Sequence, residues 1–562
     1  MIGDRNWKRA LAGLLYRWPV CFGVLFIGAL VGWPLLLLLA QSVFPNLLEG
    51  RFDGFLEPYR VMLTTEGVGP MLWNSFAWAA CTTAMSVVVG LPCGWLLARA
   101  EFPGKSLARL LLIVPLMTPP YIGALSYVLV MQPAGFADQW LGVMPGGLRR
   151  WFFTFWGVSF VMAMMSFSYV ALAVDAALRA IPSRLEDAAR LLGAGSRLAF
   201  MRVTLPLLVP ALFNSGLIVF LECLSNFGVP AILGPRATLP LLPAEIYHLV
   251  TSWPVDLPLA TSLSTLLCLV AFVSLLAGQR AMARFQAFGG RTTVVRSVRL
   301  SGGQRMLAWL FLGALFVAAA VIPYLAMVLT SFVDRWDAAG PVLTLRHYAA
   351  LFDGGSTGRG ALWTSLWLSG LAASLCCVLG GFTAYAISRF PGGLTRLLDG
   401  LALMPRVLPK IVLVIGLILA WNAPWMKVSV YNTVWMLLLA YVALTISDAL
   451  RFSDTTLRQI SERLEHSAQM LGAGRLRVFV QIVLPLLKPA LAAAWVTTFL
   501  VCMRELVASI ILLPPGVETT ATFIFNQFEQ GEIGSAMAMA SITIVLSTAM
   551  LMVLRMRMKG RE

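Results

Sequence analysis

Twelve apolar stretches, each long enough to cross a lipid bilayer, recur along the chain, and this recurrence narrows the available folds more than any other feature. A spanning helix needs roughly 17 to 25 predominantly apolar residues. The stretches cover 19–41, 70–98, 108–131, 152–178, 207–233, 256–278, 307–332, 361–387, 398–421, 433–450, 486–512 and 534–555. In hydrocarbon every backbone N–H and C=O must find its partner within the structure, which leaves helices or a closed barrel. No alternating barrel pattern is present, so the expected fold is an all-α polytopic membrane protein of about twelve transmembrane helices. Composition agrees: 59% of the 562 residues are apolar and 12% charged, where a soluble chain carries about twice that charged fraction.

The net charge of +16 raises nucleic acid as a partner, but its placement favours lipid and topology. Arg5, Lys8, Arg9 and Arg17 precede the first stretch. Arg280, Arg284, Arg291, Arg296, Arg299 and Arg305 lie between the sixth and seventh, and Arg555, Arg557, Lys559 and Arg561 end the chain. With an even number of spans these regions share one side, which the positive-inside rule makes cytoplasmic. The 42–69 loop, with Glu49, Asp53, Glu57 and Glu66 against Arg51 and Arg60, suits the outer side. Arg149 and Arg150 fall outside in this scheme, against the rule. The basic start followed by an apolar run also has the form of a secretory signal, but it is long for one and the seventh stretch mirrors it.

That mirror extends over the chain. Leu72–Phe76 (LWNSF) recurs as Leu362–Leu366 (LWTSL), 290 residues on, and Phe102–Gly104 (FPG) recurs at Phe390–Gly392. Pro115 and Pro119 recur as Pro405 and Pro409, and the LGAG and LPLL runs at Leu192 and Leu205 recur at Leu471 and Leu484, 279 on. The chain therefore reads as two related halves, 1–279 and 306–562, joined by a basic linker, 280–305. Six spans per half give both halves the same orientation, the parallel-repeat arrangement found in transporters.

Leu300–Gln304 (LSGGQ) resembles the signature pentapeptide of ABC ATPase subunits. A nucleotide site also needs a Gly-x-x-x-x-Gly-Lys-Ser/Thr loop between a strand and a helix. The nearest candidate holds Gly104, Lys105 and Ser106, but Arg99 stands where the first glycine belongs, and the second half has Gly393 in place of the lysine. The pentapeptide reads as linker, and the chain as no ATPase.

Two polar segments interrupt the apolar pattern at equivalent places, Ile181–Leu212 and Ile460–Leu491. Each predicts a short helix capped by Ser183 or Ser461, with the acidic Glu186 or Glu465 completing a capping box. The helix runs to Gly193 or Gly472, and a second amphipathic stretch then closes on Leu-Pro. At these residues the sequence resembles the permease subunits of binding-protein-dependent ABC importers, whose loop is Glu-Ala-Ala, three residues, Gly, nine residues, Ile-x-Leu-Pro. The first copy is Asp187-Ala188-Ala189, Gly193, Val203, Leu205-Pro206; the second is His466-Ser467-Ala468, Gly472, Ile482, Leu484-Pro485. The second copy departs at the acid and first alanine, and Glu465 stands next to it.

The resemblance covers almost the whole chain. Its fused two-half form, with Leu221–Gly234 and Arg504–Gly516, is similar to the ferric iron permease group, with thiamine and 2-aminoethylphosphonate permeases as relatives. It implies a bacterial cytoplasmic (inner) membrane protein with both termini inside, coupling loops seated on a separate cytoplasmic ABC ATPase, a homodimer, and an extracytoplasmic solute-binding protein. It implies neither a nucleic-acid partner nor a cofactor.

Ionisable residues inside spans are costly and mark function by default. Glu222 lies 16 residues past Pro206, toward the outer half, with Asn226 one turn later on the same face. Asn226 corresponds to Glu505, and Arg504 adjoins it. These four are candidates for the translocation path, against a purely structural role. Asp175 and Arg179 have the spacing of a local ion pair. The eight cysteines lie in apolar stretches without a Cys-x-x-Cys pair, and the three histidines are scattered, which disfavours a resident metal. An ion-coupled secondary transporter would share the twelve-span pattern but has no need of matched Gly and Leu-Pro loops.

Overall fold

A computed structural model describes residues 18–133, 135–142, 145–283, 298–337, 340–427 and 429–559. Among these, ten helices are long and apolar enough to cross a membrane, and two sharply bent pairs bring the number to twelve if each pair is one span. The first half contributes α1 (Trp18–Val43), α2 (Val68–Arg99), the pair α3 (Lys105–Met117) and α4 (Pro120–Met131), α5 (Phe155–Ala180), the loop helix α6 (Ser183–Leu191), α7 (Leu205–Ser225), α8 (Gly228–Leu233) and α9 (Leu257–Ala283). The second contributes α10 (Gly302–Phe332), α11 (Gly358–Arg389), the pair α12 (Gly393–Val407) and α13 (Lys410–Trp421), α14 (Val434–Leu457), the loop helix α15 (Glu462–Met470), α16 (Leu484–Met503), α17 (Val507–Leu512) and α18 (Ile533–Lys559). All-helical spans are what a chain needs to satisfy its own backbone in lipid.

Four of the expected spans are not straight. The third of each half bends, by 94° between α3 and α4 and by 116° between α12 and α13. Proline explains both. Pro119 and Pro409 lack the N–H that would continue the helix and push Thr118 and Leu408 into extended backbone. The fifth spans, expected as 207–233 and 486–512, break after Ser225 and Met503.

Proline shapes the remaining irregularities in a regular way. Each π-helical segment, at Gly28–Gly32, Phe200–Thr204, Val317–Val321 and Phe479–Val483, begins six residues before a proline: Pro34, Pro206, Pro323 and Pro485. A proline ring clashes with the carbonyl four residues back, and one widened turn moves that carbonyl aside while the helix continues.

The chain packs into two compact units. One consists of Met62–Ser252 and Leu266–Val333, the other of Met1–Val61, Trp253–Thr265 and Asp334–Glu562. Each unit thus holds the first span of the other sequence half. In the first unit α10 lies on α3 and α4: the hydroxyls of Thr118 and Tyr324 are 2.8 Å apart, and Tyr127 donates to the Ala318 carbonyl. In the second, α1 lies on α13 and α11. A Cβ at Gly416 would stand 2.8 Å from the Pro34 carbonyl oxygen, and the rings of Trp18 and Phe22 sit 5.5 and 5.7 Å from that of Phe382.

The recurring LWNSF and LWTSL runs now have a physical reason. Ser75 Oγ accepts the Leu242 N–H at 2.8 Å, and Ser365 Oγ accepts the Thr520 N–H at 2.7 Å. Each serine caps, within its own unit, the helix that precedes the last span, Leu242–Thr251 or Thr520–Glu529. The central helices of the first unit meet at small residues. A Cβ on Gly94 of α2 would lie 2.5 Å from the Ala171 carbonyl oxygen of α5, and one on Gly90 would lie 2.7 Å from Val170 Cβ. This is the small-xxx-small contact that lets membrane helices approach closely. We expect Gly94→Leu to lower thermal stability in detergent by an overpacking cost of about 1–3 kcal/mol. Gly313→Ala, where nothing lies within 4 Å of the new Cβ, serves as the control that leaves the melting temperature unchanged.

The linker expected at 280–305 overlaps described elements at both of its ends. Helix α9 runs on to Ala283, Val298–Arg299 pairs in parallel with Ala100–Glu101, and α10 begins at Gly302. Arg5, Lys8, Arg9, Arg17, Arg284, Arg291, Arg296 and Arg561 lie outside the described residues. Arg149, the exception to the charge rule, forms an ion pair with Asp138.

Candidate functional site

The two polar loops fold alike. In each, the short helix ends on a glycine in left-handed backbone, Gly193 and Gly472, both with φ of +86°. The Gly193 N–H bonds to the Arg190 carbonyl at 2.9 Å, and the Ala194 N–H to that of Ala189 at 3.0 Å. The second loop repeats this with Gly472 to Gln469 at 2.9 Å and Ala473 to Ala468 at 3.1 Å. Such a pair of bonds is a Schellman cap, which satisfies the last carbonyls of a helix and stops it at a defined residue. The cap leaves two large apolar side chains standing outward in each loop. Leu191 and Leu192 are both 89% exposed, and Met470 and Leu471 are 88% and 90% exposed.

The expected capping boxes do not form. Ser183 is already the first residue of α6, whose cap position is Pro182. Ser461 does cap α15, but through the Arg463 N–H at 3.3 Å. Glu465 lies one residue too far along to close a box. The two carboxylates turn inward instead. Arg99, the last residue of α2, donates to Glu186 Oε1 at 3.1 Å, and the Thr204 hydroxyl donates to the same oxygen at 2.6 Å. Arg389, the last residue of α11, donates to Glu465 Oε1 at 2.7 Å, and the Tyr385 hydroxyl reaches Oε2 at 3.3 Å. Arg389 also holds the Ile460 carbonyl at 3.3 Å and Glu462 at 3.4 Å.

Each loop helix is therefore tied to the C-terminal end of the second span of its half by a largely buried arginine–glutamate pair. The first loop has an additional tie, because Thr204 belongs to the π segment that leads into α7; Val483 occupies the equivalent place and has no hydroxyl. The remaining motif residues are disposed as follows. Asp187, Ala189 and Ala468 are half-buried, Ala188, His466 and Ser467 are exposed, and the Ser467 hydroxyl donates to the Arg463 carbonyl at 2.8 Å. Leu205 and Leu484 open the fifth spans, with Pro206 and Pro485 where a missing N–H costs nothing.

Sequence reasoning missed both arginines, although the signal was present. Arg99 recurs as Arg389 at the 290-residue offset, and Glu186 recurs as Glu465 at 279. A second repeated ion pair was anticipated in part. Arg179 donates to Asp175 and Arg458 to Asp454, both at 2.9 Å, at the C-terminal ends of α5 and α14.

The four path candidates sit near the breaks of the fifth spans. Glu222 is on α7, half-buried. Asn226 is not one turn further along the same helix, since α7 stops at Ser225; its Oδ1 accepts the Val229 N–H of α8 at 3.0 Å. Arg504 and Glu505 occupy the corresponding break between α16 and α17. Glu505 is 5% exposed. Its Oε1 accepts the Val507 N–H at 3.2 Å, and its Oε2 lies 2.7 Å from Lys410 Nζ. Lys410 is a participant that the sequence alone did not suggest.

The pentapeptide at Leu300–Gln304 starts a membrane helix. Ser301 Oγ accepts the Gln304 N–H at 3.5 Å and Gln304 Oε1 accepts the Ser301 N–H at 3.1 Å, a capping box at the head of α10. Gly104, in the phosphate-loop look-alike, is a left-handed turn residue packed on the Trp309 ring. Among the described residues no group of three or more His, Cys, Asp or Glu could hold a metal ion.

Comparison with known proteins adds to this geometry. Residues 90–286 and 376–557 each match the family described as binding-protein-dependent transport system inner membrane component. The two matches fall one in each half. Over 492 residues the chain is 27% identical to the ferric transport system permease protein FbpB of Actinobacillus pleuropneumoniae, covering 85% of this chain and 70% of that protein. It is 24% identical to the Fe(3+)-transport system permease protein FbpB 2 of Haemophilus influenzae, over 85% of this chain and 88% of that one. A shorter match, 31% identical over 191 residues, relates 32% of this chain to 80% of the molybdenum transport system permease protein ModB of Escherichia coli.

Proposed function

The chain belongs to the family of binding-protein-dependent transport system inner membrane components, as a permease subunit of an ABC importer, and we propose that the solute it carries is ferric iron. The observation that supports the solute is similarity to ferric permeases over most of the chain, both halves included. The sequence halves 1–279 and 306–562 are taken as the two repeats, with both termini on the cytoplasmic side.

In this reading ATP is hydrolysed by a separate cytoplasmic ATPase, a homodimer, and α6 and α15 are the elements it moves. Leu191, Leu192, Met470 and Leu471 supply apolar surface for its clefts. Displacement of α6 passes to α2 through Glu186 and Arg99, and to the head of α7 through Thr204. Displacement of α15 passes to α11 through Glu465 and Arg389. A binding protein outside delivers the solute, and Glu222, Asn226, Arg504 and Glu505 line its path. A ligand shifts a conformational equilibrium only by its differential affinity for the states, so damage to the loops uncouples transport and leaves solute recognition unchanged.

Uptake of radiolabelled ferric iron under iron limitation, in cells with and without the chain, tests the solute. Loss on deletion and recovery on complementation are expected. Unchanged uptake in cells with no second iron system overturns the ferric reading and moves the solute to a phosphonate or thiamine. The docking surface has its own test. Burial of a Leu or Met side chain is worth about 1.5–3 kcal/mol, so replacing all four outward side chains by aspartate lowers ATPase affinity by at least about a hundredfold. Co-purification of the ATPase with the quadruple variant at the wild-type ratio would count against this surface.

A further inference from the structure

Both units break their third and fifth spans at equivalent places, but only one puts charge on the break residues themselves; in the other the nearest charge is Glu222, in the last turn of α7. In the unit containing Met62–Ser252, the residues at the breaks are Pro119, Pro120 and Asn226; in the other they are Pro409, Lys410, Arg504 and Glu505. The first unit acts as an internal control. Asn226 completes its break with a neutral amide, accepting the Val229 N–H at 3.0 Å. Glu505 does the same through Oε1, accepting the Val507 N–H at 3.2 Å. A negative charge is therefore not needed to build the break.

The charge is kept all the same, on a residue 5% exposed, with its second oxygen 2.7 Å from Lys410 Nζ. A buried ion pair contributes little net stability, because desolvation offsets most of the attraction. Charge within a span is rare unless it is used, and discontinuous helices are where transporters place their solute sites. Here two discontinuities meet at one carboxylate. The Lys410 side chain keeps 34% of its surface while that of Glu505 keeps 5%, so the ammonium is the more accessible member of the pair.

We propose that Glu505 is the transit ligand for a hard, oxygen-preferring cation and that Lys410 is the resident counter-cation which it displaces. The inference rests on the ferric reading and deepens it. As the metal arrives, a carboxylate–metal bond replaces one metal–water bond, the water leaves to solvent and the Nζ–Oε2 hydrogen bond breaks; Lys410 stays protonated, and no electron moves. Carboxylate oxygen suits hard cations. One protein ligand leaves the other coordination positions to water or to a carried oxyanion, which holds the ion weakly enough to release. When the ion leaves, Lys410 returns and spares the site an unpaired buried carboxylate.

The test uses proteoliposomes holding the full chain with its ATPase, the binding protein loaded with labelled ferric iron outside and ATP on the cytoplasmic face. Loss of even an outer-shell partner commonly costs metal sites tenfold or more, so Glu505→Gln is expected to lower uptake by about tenfold or more. Hydrolysis of ATP stimulated by the binding protein continues. Lys410→Met leaves the Glu505 carboxylate buried without its counter-ion, so it lowers both uptake and the melting temperature in detergent. The double variant Lys410→Met with Glu505→Gln, in which neither member of the pair is charged, folds and hydrolyses ATP but fails to import. Wild-type uptake in Glu505→Gln overturns the inference alone. So does the reverse pattern, loss in Lys410→Met with Glu505→Gln intact, which assigns an oxyanion to Lys410. A wild-type chain that imports no ferric iron overturns the ferric reading and this inference together.

Discussion

Replacing Gly193 and Gly472 together by valine abolishes solute uptake while leaving the chain in the membrane. Nothing lies within 4 Å of a Cβ built on either glycine, so added bulk meets no wall. The cost lies in the backbone, since both residues hold φ at +86°. A left-handed conformation costs an ordinary L-residue about 1–2 kcal/mol, and a β-branched one more. Valine therefore unwinds the Schellman cap, the last carbonyls of α6 and α15 lose their partners, and Leu191, Leu192, Met470 and Leu471 lose their fixed direction. Asparagine tolerates this conformation, so the double asparagine variant retains most of the uptake. The measurement is ATP-dependent uptake normalised to protein in the membrane. Normal uptake in the valine pair, or equal loss in the asparagine pair, would show that the caps do not set the coupling geometry.

The second large effect is expected at Arg389. Arg389→Met leaves Glu465 buried with only the Tyr385 hydroxyl at 3.3 Å. Removing one partner of a buried ion pair costs about 3–5 kcal/mol, and here the loss also detaches α15 from α11. Stimulated ATP hydrolysis should persist in part while uptake per ATP falls. Arg99→Met should be milder, because Glu186 keeps the Thr204 hydroxyl at 2.6 Å. Adding Glu465→Gln to Arg389→Met removes the stranded charge, and it should recover melting temperature in detergent without recovering uptake. Recovery of both would reduce the pair to a stability contact. Equal effects at Arg99 and Arg389 would argue against the asymmetry between the loops.

Much of the candidate site was legible because it is duplicated. The glycines, the Leu-Pro pairs and their spacing are local patterns, and local patterns dictate the Schellman caps and the π turns. The partners of Glu186 and Glu465 were not legible in this way. Arg99 lies 87 residues from Glu186 and Arg389 lies 76 from Glu465, so the acidic residues were assigned to the nearest available function, a helix cap. Lys410 was overlooked for a similar reason: it follows a proline in an apolar run, and its partner Glu505 is 95 residues away.

What the sequence by itself determined is the element content: twelve apolar segments, their duplication and the breaks that proline imposes. Those depend on hydrophobicity and on backbone chemistry within a few residues. Tertiary structure decided which segments pack together. Apolar side chains facing lipid do not discriminate one helix neighbour from another, because lipid tails are as apolar as leucine, and association depends instead on close fit and on polar contacts across helices. The hydroxyl contact of Thr118 with Tyr324, the approach of Gly416 to Pro34 and the buried pairs at Glu186, Glu465 and Glu505 supply those contacts. They join residues far apart in the chain, so they exist only once the helices have packed.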